Sequence, residues 1–76
     1  MNSVMINLEA LASGIGKQGV NPAVSFYHIA HNQLQTDEER QAFRLGALAM
    51  FADVGKMRLR RAYYTHQFRK AMKKLN

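Results

Sequence analysis

Three histidines are the first residues that could do chemistry. His28 and His31 stand three apart, a spacing that on a helix turns two imidazoles toward one ion, and His66 would be a third ligand. No carboxylate shares their segment, the chain has no cysteine and no HExxH arrangement, so the expectation is surface histidines and no metal. Ser25 lies three residues before His28, yet neither an orienting third group nor an oxyanion loop accompanies the pair. Gly14 and Gly16 have the spacing of a phosphate loop but lack a preceding strand and a following Gly-Lys-Ser/Thr triplet, which leaves an ordinary connector. The carboxylates Asp37, Glu38 and Glu39 are accounted for by helix capping. Catalysis is therefore not expected, and no cofactor is implied.

Charge is the stronger signal. Residues 54–76 hold eight bases and no acid, whereas residues 1–53 hold three bases and all five acids, for a net charge of +6. A wheel drawn at about 100° per residue gathers Met57, Tyr64, Phe68, Ala71, Met72 and Leu75 into one arc and leaves every base of the tail outside it except Arg61. Such a helix is amphipathic and basic. Self-repulsion over a stretch without compensating acids is a cost that an acidic partner would relieve. Lys56, Arg58, Arg60, Arg69, Lys70, Lys73 and Lys74 are the candidate contacts, with Tyr63 as a stacking group among them.

Nucleic-acid phosphates, contacted without sequence specificity, are the leading partner. The alternative is a protein-binding regulator or inhibitor that docks the same helix on an acidic surface of a larger machine, anchored by Leu59, Tyr63, Arg60 and Arg61. An anionic membrane is disfavoured, because tryptophan is absent and the apolar arc is needed for the core. Arg61 falls on that arc, where its guanidinium needs an acceptor: Asp53 two turns earlier if the chain bends, a partner molecule, or solvent reached along its aliphatic stem.

The elements that must position these groups are helical. The composition is rich in strong helix formers, β-branched residues form no run, and Pro22 is the only proline. A chain of 76 residues supports one domain of modest stability, spanning residues 1–76 with its core mainly in residues 4–53 and the basic amphipathic helix in 54–75. The fold class is all-α, a small bundle of three to four helices. No apolar run approaches the roughly 20 residues of a membrane span, Glu9 interrupts the start as a secretory signal, and nothing requires an oxidising compartment, so a cytoplasmic setting is the default.

The first helix is expected over about Val4 to Ser13, capped by Asn2 or Ser3, and Gly14 to Asn21 reads as a connector. Asn21-Pro22 starts a second helix, with Val24, Phe26, Tyr27, Ile29, Ala30 and Leu34 on its apolar face and an end near Gln35. Thr36 to Glu39 spell a capping box that starts a third. These two helices do not make a helix-turn-helix reader: the turn is polar, few base-reading side chains follow it, and the positive charge lies elsewhere.

From Phe43 to Leu75 apolar residues recur in alternating steps of four and three, and Gly46 beside them is either a tolerated glycine or a tight crossing. Unbroken, residues 37–75 would make a rod of about 58 Å whose far end needs a second copy to cover it, giving a homodimer. Broken near Gly55, the last segment folds back and a monomer suffices.

Overall fold

The computed structural model describes residues 2–75 and contains four helices: α1 (Ser3–Gly14), α2 (Pro22–Asn32), α3 (Asp37–Val54) and α4 (Arg58–Leu75). There is no strand among the described residues. α3 is the central element, and each of the other three packs on it. Its neighbours α1 and α4 flank it without approaching each other along their backbones.

Each helix start has a local cause. Asn2 caps α1 by accepting from the Met5 amide at 2.9 Å, and Asn21 caps α2 by accepting from the Ala23 amide at 2.9 Å, with Pro22 at the first helical position. At α3 the Thr36 hydroxyl accepts from the Glu39 amide and the Glu39 carboxylate accepts from the Thr36 amide, both at 3.1 Å. That carboxylate also accepts from the Ser3 hydroxyl, which ties the start of α1 to the start of α3. The Ser3 hydrogen bond is the main reason that Glu39 titrates below its ordinary value; desolvation opposes it, and the Thr36 hydroxyl, Thr36 amide and Gln35 amide reinforce it.

α2 stops at Asn32, three residues before the expected end at Gln35. The reason lies in another helix: Arg40 of α3 donates from Nε to the Ala30 carbonyl at 3.1 Å and from a terminal nitrogen to the Leu34 carbonyl at 3.0 Å. These bonds satisfy acceptors at the helix end, and Leu34, free of the helix, drops into the core. The apolar face of α2 is also narrower than its sequence implies. Phe26 stacks on Phe43 with ring centroids 5.3 Å apart, and Ile29 is buried, but Val24 and Tyr27 are 64% and 63% exposed.

The rod of residues 37–75 does not form. α3 ends in a Schellman arrangement in which the Met57 amide donates to the Ala52 carbonyl at 2.8 Å and the Lys56 amide to the Asp53 carbonyl at 3.1 Å. The left-handed residue that this closure requires is Lys56, with φ of 58°, while Gly55 keeps an ordinary φ of −80°. The break therefore falls where glycine suggested it, but the strained position is one residue later. α4 then runs back along α3, and the whole domain measures 35 Å along its longest axis, well short of the rod.

Folding back supplies the cover that the seam needed. Tyr64, Phe68, Met72 and Leu75 pack half-buried on the core and Ala71 is buried within it, so α4 extends the core beyond residues 4–53. Only the part of the seam at the turn is left out, with Val54 and Met57 exposed. Gly46 proves to be a tight crossing. A Cβ there would stand 2.7 Å from one Leu8 methyl carbon and 3.0 Å from the edge of the Phe68 ring, which places the side chains of α1 and α4 in the space that its missing side chain leaves.

A candidate acidic-partner surface on the fourth helix

Because α4 buries one stripe against α3, its remaining circumference faces solvent, and the helical period decides what stands there. Arg58, Arg60, Arg69, Lys70, Lys73 and Lys74 are all exposed, as is Lys56 in the turn before the helix. Among the described residues the ion pairs are Arg40–Asp37 and Arg61–Asp53, so none of these seven bases has a carboxylate within salt-bridge distance. An exposed ion pair contributes at most about 1 kcal/mol, but the absence of pairs leaves the field of the bases uncancelled.

Arg61 differs from its neighbours. Its guanidinium reaches Asp53 at 2.9 Å across the turn, the pairing expected if the chain bends, and it is thereby withdrawn from the protein-anchor set. Leu59, Arg60 and Tyr63 remain together on the outer face. Leu59 is 89% exposed and Tyr63 60% exposed, its ring edge-on to Tyr64 at 5.3 Å.

The two ends of α4 differ in surroundings. Antiparallel packing brings Lys74 and Ala71 beside Asp37, Glu38 and Gln41 in a shallow hollow, so the acids that cap α3 temper the field at the C-terminal end. At the opposite end Lys56, Arg58 and Arg60 surround Met57 and Leu59, and the nearby Asp53 is engaged by Arg61. The field is therefore tempered beside Lys74 and left uncancelled at Lys56, Arg58 and Arg60.

No protein-family model, curated protein or solved structure matches this chain. The other candidates from the sequence do not assemble. His28 and His31 are exposed on α2, His28 lies beside the Asn32 side chain, and no group of three metal-ligating side chains exists among the described residues. No helix among them is long and apolar enough to cross a membrane.

Two features escaped the sequence reading. A cleft of about 680 Å³ opens between α1, α3 and α4, floored by Gly46, Ala49 and Met50 and edged by Arg61, His66 and Arg69. A smaller hollow of about 270 Å³ between α2 and α3 is lined by Phe26, Tyr27, Leu48 and Phe51 with Arg44. The small residues Gly46 and Ala49, one turn apart on α3, are the signal that could have located the first; nothing local marks the second.

Proposed function

We propose that the protein is a non-enzymatic binding module whose fourth helix contacts nucleic-acid phosphates through Arg58, Arg60, Arg69, Lys70, Lys73 and Lys74, with Lys56 in the preceding turn. One observation carries the reading: seven exposed bases on one helix and its turn, none within reach of a carboxylate among the described residues, while the one base that faces α3 is paired with Asp53. Fixed charge of one sign on a rigid element attracts a polyanion, and binding is driven by counterions released from phosphates. Tyr63, exposed among the bases, adds a ring that can pack on a sugar or a base.

A pull-down from cell extract with and without nuclease tests the proposal. Retained nucleic acid, and co-purifying proteins that disappear on nuclease treatment, are the expected result. A discrete protein partner that survives nuclease, with no nucleic acid retained, would instead establish the docking of Leu59, Arg60 and Tyr63 on an acidic protein surface.

A further inference from the structure

The exposed face of α4 has an internal order that simple charge attraction does not require. At about 100° per residue, Arg58 and Arg69 lie along one edge of the exposed arc and Arg60 with Gln67 along the other. Between those edges the first three turns carry Leu59, Ala62, Tyr63 and His66, all exposed, whereas Lys70, Lys73 and Lys74 fall between them only further along the helix. The first three turns of α4 thus present two flanks bearing cations about a central row of apolar and neutral hydrogen-bonding side chains.

We infer that α4 enters the major groove of B-form DNA by its N-terminal turns, its flanks on the two phosphate walls and Leu59, Ala62, Tyr63 and His66 on the base edges. This rests on the nucleic-acid reading above and names the partner within it. An α-helix with side chains is about 10–12 Å across, and the B-form major groove about 12 Å wide, so a helix seated there meets a phosphate backbone on each side. A single strand offers one line of phosphates and no reason for cations on both flanks. The major groove of A-form RNA is too deep and narrow for side chains to read.

The direction of entry follows from the acids. Asp37 and Glu38 stand beside the Lys74 end and would meet the phosphates there, whereas the turn at Lys56 and Met57 projects from the opposite end. Base edges reward this central row in particular. Thymine presents a methyl group in the major groove, which Leu59 and Ala62 match, and purine N7 and O6 or N6 positions suit the Tyr63 hydroxyl and the His66 ring. Sites containing thymine opposite Leu59 and Ala62 are the preferred ones.

Competition binding with the full chain, using a labelled mixed-sequence DNA duplex of about two helical turns, distinguishes the outcomes. The competitors are the same sequence as an RNA duplex, as a DNA single strand, and as a DNA duplex with uracil replacing thymine. The DNA duplex is expected to bind at least about tenfold more tightly than the RNA duplex, and loss of each covered methyl to weaken binding about fourfold. Leu59→Ala, at an exposed position, is expected to narrow the gap between DNA and RNA duplexes while leaving the RNA affinity unchanged. Equal affinity for the DNA duplex and all three competitors, or preference for the single strand, would overturn groove entry and leave phosphate binding standing. Failure to bind any of them would remove both.

Discussion

Gly46→Ala separates two opposing effects whose sizes follow from the structure. Replacing an interior helical glycine by alanine ordinarily stabilises a helix by about 1 kcal/mol. Here the added carbon would meet the Leu8 methyl carbons at 2.7 and 3.1 Å and the Phe68 ring at 3.0 Å. Leu8 is only 7% exposed, so its methyl groups have little room to retreat, and overpacking of this kind costs about 1–3 kcal/mol. The net expectation is a loss of about 1 kcal/mol, equivalent to a fall in Tm of about 4–8 °C for a domain of this size. Thermal unfolding followed by circular dichroism measures it. Leu8→Ala in the same background should cost less than Leu8→Ala alone, because it relieves the clash it would otherwise be charged for. A rise in Tm for Gly46→Ala would refute the crossing of α1, α3 and α4 at this residue.

Lys56→Gly is expected to stabilise the fold by about 0.5 kcal/mol, because a left-handed lysine costs more than the entropy glycine loses on folding. Gly55→Ala, at an ordinary φ and with the flexible tip of Met57 as the one tight neighbour of its new carbon, the Phe51 and Ala52 carbonyl oxygens being at ordinary contact distance, should stay within about 0.5 kcal/mol of the parent in urea titrations; the reverse order would contradict the turn. Glu39 is depressed below its ordinary value chiefly by Ser3, so its contribution is fully present above the ordinary glutamate range and is lost as pH falls through its lowered folded value. Ser3→Ala should therefore shift the urea midpoint down at neutral pH by more than it does in acid, and an equal shift at both would contradict the tie between α1 and α3. Sedimentation equilibrium at high salt, without nucleic acid, should give the 8.7 kDa monomer, since α4 covers its own apolar stripe; a dimer would show that another face associates.

The elements that were legible in the sequence are those with local causes. Thr36 and Glu39 satisfy each other three residues apart, and Asn21 with Pro22 needs no distant partner, so both helix starts could be read directly. The basic face of α4 was equally legible, because helical period alone sorts Arg58, Arg60 and Lys70 from Phe68 and Met72. The end of α2 was not, since Arg40 of another helix takes the Ala30 carbonyl in its last turn and the Leu34 carbonyl just beyond it. Nor could the exposure of Val24 and Tyr27 be foreseen, because an apolar residue is buried only where a neighbour covers it, and no neighbour covers these two. Gly55 drew attention as a helix breaker, yet the hydrogen bonds of the turn put the left-handed conformation on Lys56. Arg61 was ambiguous until the turn brought Asp53 within reach, and that pairing engages one of the expected anchors, while the other bases of α4 have no carboxylate partner among the described residues.

Phosphate binding by the fourth helix is tested most directly by the salt dependence of binding to a DNA duplex. Phosphate contacts by Lys56, Arg58, Arg60, Arg69 and Lys70, leaving out the helix end where Lys74 neighbours Asp37 and Glu38, predict a log-log slope near −4.5 at about −0.9 per phosphate. Removing Arg58, Arg60 and Arg69 together as glutamines should bring the slope toward about −2 without altering the helical spectrum, since all three are exposed. A slope near zero, or one unchanged by the triple substitution, would contradict phosphate binding through α4.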